Sequence, residues 1–214
     1  MINLVVALQC EAEPFVDHFR LQKQTRSDGF SLYSGDDLRL IVTGIGKSAV
    51  RAGCEYLHAS GGFPVQAWLN VGIAGHCDLA IGSGVRALRI IDHASGHVWH
   101  PSTRVPIPGI GKTVCTLEEL DPDYPGDLVY DMEASAYYAV AARLGADPLV
   151  QCYKIISDNR ISGHEGIDPP MVVALLAQHV SPVAAAVEAL ADLVDSVRHS
   201  RPVEGNSSPM GVGH

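Results

Sequence analysis

Apolar and polar positions alternate along this chain in two rhythms. Residues 2–8, Ile-Asn-Leu-Val-Val-Ala-Leu, are a nearly unbroken apolar run rich in β-branched side chains, which predicts a strand covered on both faces. The next stretch, "CEAEPFVDHFRL", sets acids and a proline where a helix begins, positions that suit the helix dipole and the free first turn. "GFSLYSGDDLRLIVTG" reads as a hairpin turning at Gly35-Asp36, and "KSAVRAGCEYLHAS" as a helix. "VQAWLNVGIAG" predicts a second buried strand running into glycines, and "GSGVRALRIIDHAS" a further strand. Residues 100–127 are rich in proline and glycine and are expected to be mostly loop. "VYDMEASAYYAVAARLG" reads as a helix closed by Gly145, and "DPLVQCYKIISDN" as a strand. "SPVAAAVEALADLVDSVRHS" reads as a last helix with Ser181 as N-cap and Pro182 in its first turn. Strands alternating with helices predict a single α/β domain, residues 1–199, built on a mixed central sheet flanked by helices. Residues 200–214 have the composition of a disordered tail.

Composition narrows the function classes. The 214 residues are 47% hydrophobic and 18% charged, enough for a substantial core. A net charge of −9 without basic runs argues against nucleic acid or an anionic membrane as partner. No basic leader precedes the short first apolar run, and no stretch is long enough to span a bilayer. Five scattered cysteines without a Cys-x-x-Cys pair read as reduced thiols in a cytoplasmic protein.

"GIGKS" at 44–48 and "GIGKT" at 109–113 invite comparison with a phosphate-binding P-loop. That loop needs a glycine five positions before the Gly of Gly-Lys-Ser/Thr. Ile41 and Pro106 stand there, and Pro106 has no N–H to offer a phosphate. Neither copy is therefore read as a P-loop.

Ligands in open α/β sheets sit beyond the carboxyl ends of strands. Four segments qualify: Glu11 and Glu13, Gly44–Gly46, Gly72–Gly75, and Ser157-Asp158. Together with "DMEASAYY", these segments follow an order that resembles the methylthioadenosine/S-adenosylhomocysteine nucleosidases of the purine nucleoside phosphorylase superfamily. The resemblance spans residues 2 to about 160 and implies a nucleoside phosphorylase-I type of fold. It also implies cleavage of an N-glycosidic bond between a purine and a ribose, possibly 5′-modified. That reaction passes through an oxocarbenium-like transition state. It requires a group to protonate the base, a nucleophile at C1′ and a grip on the ribose.

By the resemblance, Asp158 is the acid for the purine N7 and Glu13 the water-activating base, with Glu11 as rival. Glu133 would hold the 2′- and 3′-hydroxyls, and Met132 would pack on the sugar. Ile73, Ala74, Gly75 and Ser157 would complete the substrate site. No cofactor and no metal are expected. The partners implied are a small nucleoside and a second copy of the chain, in a homodimer whose active sites borrow residues from the partner chain.

Two departures bear on specificity. Ile73 stands where the family's loop carries a hydroxyl, and neither Arg51 nor Arg86 matches a phosphate-binding position, so water is favoured over phosphate as nucleophile. The segment 113–131, which closes over the purine in the family, is shortened and has no Phe to stack on a base. A phosphorylase and a non-catalytic nucleoside-binding protein remain the alternatives. His93, His97 and His100 lack partners at ligand spacing and are not read as a metal site; His97, Trp99 and His100 are read instead as lining a substrate mouth.

Overall fold

The computed structural model describes residues 1–24, 29–119, 123–145 and 148–200. Its ten strands form one mixed sheet, part of which closes on itself. Strand β1 (Ile2–Val6) leads through helix α1 (Gln9–His18) to three strands: β2 (Gln22–Lys23), β3 (Ser31–Ser34) and β4 (Leu38–Val42). Helix α2 (Lys47–Ala59) precedes β5 (Ala67–His76), β6 (Gly84–Asp92), β7 (Val98–Trp99) and β8 (Ile110–Thr116). The chain continues through β9 (Val129–Asp131), α3 (Ala134–Leu144), β10 (Val150–Asn159), α4 (Pro169–Gln178) and α5 (Val180–Ser200).

Strand β5 pairs with β10, β10 with β6, β6 with β8, β8 with β9, and β9 returns to the end of β5. This ring removes open edges around the middle of the molecule. On the other side of β5 the sheet runs on through β1, β4, β3 and β2. Strands β1, β4, β5 and β10 are mutually parallel, so their carboxyl ends gather along one rim.

Both faces of these strands are covered, which is why they read as continuous apolar runs. Leu4, Val6, Leu69, Val71 and Ile155 pack with Phe15 of α1, Leu176 of α4 and Leu190 of α5. Val5, Ile41, Trp68 and Ile156 face the opposite way, onto Val50, Cys54 and Leu57 of α2 and Tyr137 of α3. Each such buried side chain stabilises the fold by about 1.5–3 kcal/mol relative to exposure.

The mixed α/β architecture, the buried strands and the hairpin at Gly35 match the reading of the sequence, with the Gly35 N–H bonded to the Leu38 carbonyl at 2.9 Å. Several elements differ. Residues 110–116 form a strand inside the proline-rich stretch, supported by β6 and β9 on either side. Val129–Asp131 is a strand and not the first turn of a helix; α3 begins only after Glu133. Helix α4, capped by Asp168 accepting from the Met171 N–H at 2.8 Å, has no counterpart in the sequence reading. Helix α5 starts at Val180, ahead of the expected Ser181 cap, and runs through Ser200; residues 201–214 lie outside the described residues. All five cysteines are free. Among the described residues no single helix is long and apolar enough to cross a membrane.

Candidate active site

A cavity of about 260 Å³ opens where the parallel strands end. Ala7, Leu8 and Glu11 line it from the β1–α1 junction, and Ile73, Ala74 and Gly75 from β5. Met132 and Glu133 line it from the β9–α3 junction, and Ser157 and Asp158 from β10. Ile45, His164 and Ile167 stand at its margin. Seven of the eight residues named from the sequence therefore meet in one place.

The eighth, Glu13, does not. Glu11 is the third residue of α1, and its carboxylate folds back over the helix start. Oε2 accepts the N–H groups of Ala7 and Leu8, each at 2.9 Å, and Oε1 accepts that of Ile73 at 2.9 Å. Successive helical residues turn by about 100°, so Glu13 is carried roughly 200° around α1 to the solvent side, where it is exposed. Glu11, buried and facing the cavity, takes the place expected for Glu13. Glycine at 72 permits this: an added Cβ would lie 2.9 Å from Glu11 Oε1. Burial pushes the Glu11 pKa above the ordinary carboxylate range, while the three N–H groups and Lys154 pull it back.

Glu133 reaches the cavity from the N-cap of α3, and its Oε1 accepts the Gly46 N–H at 2.7 Å. This bond explains "GIGKS": Gly44 and Gly46, with φ of 89° and 95°, take left-handed backbone conformations that aim the N–H at a carboxylate. Lys47 turns away and pairs with Asp92 at 2.6 Å and Glu118 at 2.8 Å. Burial raises Glu133 to about 7, with Lys154 opposing the shift and Asp131 adding to it. Beneath the cavity Asp131 is buried. It accepts from the N–H groups of Glu133 (3.2 Å) and Ala134 (2.7 Å) at the start of α3, from Thr116 Oγ1 (2.7 Å), and pairs with buried Lys154 at 2.9 Å.

Asp158 sits at a bulge of β10 and is 4% exposed. Ser157 Oγ donates to its Oδ1 at 2.5 Å, and the Tyr124 hydroxyl donates to its Oδ2. Burial raises Asp158 to about 6, with His164 nearby pulling the other way. Tyr124 is not among the site residues expected from the sequence, where 113–131 is shortened and has no Phe. Its ring lies on Gly75, where an added Cβ would come within 2.5 Å of it. Arg160 holds its backbone by donating to the carbonyls of Asp123 and Tyr124 at 2.8 Å each. An aromatic residue in a short segment facing a Gly-rich strand was the available signal.

His97 and Trp99, expected at a substrate mouth, lie elsewhere: their rings pack at a tilt of 56° with centroids 4.2 Å apart and line a separate groove with Lys47 and Asp92. A different group, His76, Cys77, Asp78 and Asp127, has ligand-type atoms within 4.8 Å of one another. His76 Nδ1 accepts the N–H groups of Asp78 and Leu79 at 3.1 Å, which puts the proton on Nε2, facing Asp127 at 3.1 Å. That ring has no lone pair free for a metal.

No protein-family model matches the chain, and no curated protein sequence matches it. Solved structures do. A 5′-methylthioadenosine/S-adenosylhomocysteine nucleosidase from S. pneumoniae, solved with a transition-state inhibitor, superposes with a TM-score of 0.72 at 20% identity, over 88% of this chain and 99% of that one. Futalosine hydrolase of Helicobacter pylori gives 0.70 at 14% identity, over 87% and 98%. A nucleosidase of the first kind from Colwellia psychrerythraea, in complex with adenine, gives 0.67 at 18% identity, over 90% and 95%. The protein therefore carries the fold shared by these nucleosidases and futalosine hydrolase, the nucleoside phosphorylase-I fold.

Proposed function

We propose that the protein is a nucleosidase, which hydrolyses the N-glycosidic bond of a purine nucleoside to free base and a ribose-type sugar. One observation carries the reading: Glu11 already occupies the cluster of N–H groups at Ala7, Leu8 and Ile73. A phosphate nucleophile needs several fixed donors of this kind. Here a carboxylate has taken them, and a carboxylate in that place repels phosphate but accepts a proton from water.

In this reading Glu11 orients and deprotonates the water that attacks C1′. Glu133 accepts hydrogen bonds from two ribose hydroxyls, and Met132 packs on the sugar. Positive charge growing on the ribose ring is stabilised by the two carboxylates beside it. Asp158, raised towards neutrality, donates a proton to the leaving base as the C1′–N bond breaks. Ser157 orients the Asp158 carboxyl. Tyr124 shares that carboxyl, so the incoming base competes with the phenol for it. The fold similarity to enzymes named for 5′-methylthioadenosine, S-adenosylhomocysteine and futalosine supports a 5′-substituted nucleoside as substrate. A cytoplasmic homodimer belongs to the same proposal, and light scattering at micromolar concentration tests the assembly.

The test is incubation with a panel of nucleosides, with and without phosphate, followed by separation of the products. Free base and free sugar should appear at the same rate in both buffers. A sugar 1-phosphate as main product would make the protein a phosphorylase. No base release from any nucleoside would make it a binding protein.

A further inference from the structure

The mechanism above leaves one buried ion unused. Lys154 is 1% exposed in the middle of β10, four residues before Asp158. In the parallel pairing it lies opposite Gly72, so its side chain projects to the face on which Glu11 leans. Its ammonium group pairs with Asp131 at 2.9 Å. A lysine is almost never fully buried without a partner, because removing its charge from water is costly. One partner is present, yet an ammonium has three donors, and two further carboxylates, Glu11 and Glu133, lie within its electrostatic reach.

The surroundings are unusual in sign. Three carboxylates gather here, each at a helix start: Glu11 on α1, Asp131 at α3, and Glu133 on the Gly46 N–H that opens α2. The other titratable groups facing them include Cys10 from α1, Cys115 from β8, Tyr130 from β9, Cys152 and Asp158 from β10, and His164 from the loop after β10. Among the described residues at the site, Lys154 is the one lysine or arginine paired with this cluster. Like charges that close cannot all stay ionised without a compensating cation.

We propose that Lys154 is a positioning residue for the proposed hydrolysis: from its ion pair with Asp131 it favours the ionised forms of Glu11 and Glu133 against the cost of their burial. Burial alone would strip its proton, but the surrounding carboxylates keep it charged. The effect on the site is indirect and twofold. Asp131 is anchored, which sets the backbone of Glu133 and the start of α3. The carboxylates that line the cavity are also drawn towards their ionised forms, since Lys154 opposes the effect of burial on both.

The inference rests on the nucleosidase reading for its catalytic meaning, so the experiment has one arm that does not. Lys154→Met alone would leave Asp131 buried without its cation; the double variant K154M/D131N removes the pair together and is compared with D131N. Carboxyl-¹³C-labelled glutamate is titrated by NMR, with the Glu11 and Glu133 signals assigned by E11Q and E133Q. The midpoints of both should rise by about one unit or more between D131N and the double variant, the size expected for losing a neighbouring opposite charge. Lys154→Arg should restore them. On a nucleoside that the wild type cleaves, the acid limb of kcat/KM should rise by the same amount. Unmoved midpoints in a folded double variant would overturn the role of Lys154. If the wild type cleaves no nucleoside, the nucleosidase reading falls while the NMR arm still decides the electrostatics.

Discussion

Glu11→Gln tests the reading at its centre, because it keeps the shape of the side chain and removes its ability to take a proton. In the native site Oε2 accepts two N–H groups and Oε1 accepts one. A glutamine can keep its oxygen on Ala7 and Leu8, but its NH₂ then faces the Ile73 N–H. One charge-assisted hydrogen bond is lost, about 1.5–3 kcal/mol. Against this, a buried charge is removed, which recovers part of the cost. The fold should survive with a net loss within about 2 kcal/mol. The rate should not survive. General base catalysis supplies 10² to 10⁴, so kcat/KM should fall by at least about a hundredfold, or about 2.7 kcal/mol at 1.36 kcal/mol per decade. Glu13→Gln is the control: its side chain is exposed and should change the rate by less than about twofold. The assay is base release from a cleaved nucleoside, alongside thermal unfolding of each variant. An E11Q enzyme within tenfold of wild type, or a hundredfold loss in E13Q, would refute the assignment.

Asp158 must be protonated to act and has its pKa raised to about 6, whereas Glu133, raised to about 7, must be ionised. The profile of kcat/KM against pH should therefore peak between about 6 and 7. Asp158→Asn should abolish its alkaline fall and cost at least about a hundredfold, and a retained alkaline limb in D158N would remove Asp158 from the acid role. Tyr124→Phe deletes an O–H donated to the ionised carboxylate, so the Asp158 midpoint followed by carboxyl NMR should rise; a fall would mean that the phenol accepts instead. Gly72→Ala places a Cβ 2.9 Å from Glu11 Oε1 and should cost at least about tenfold in kcat/KM without touching a carboxylate, which steady-state kinetics on a folded variant checks.

Much of this molecule can be read without coordinates, and the reason is local. The buried strands are visible because two-sided burial leaves no room for polar residues, and Gly44 and Gly46 are visible because only glycine takes their φ cheaply. Polar groups at the ends of those strands, among them Glu133, Ser157 and Asp158, stand out against apolar neighbours. What stayed hidden depends on neighbours far along the chain. Strand β8 lies in a proline-rich stretch and exists because β6 and β9 flank it. Helix phase decided between Glu11 and Glu13: two residues apart in sequence, they point to opposite sides of α1, and only the packing of α1 on the sheet says which side is inside. Tyr124 reaches Asp158 across 34 positions, and Lys154 meets Asp131 across 23. Residue order and local pattern are enough to say which residue types could do chemistry and near which strand ends they would fall. The tertiary structure alone decided which of them share a cavity, because burial and charge compensation are properties of the assembled surroundings and not of any one segment.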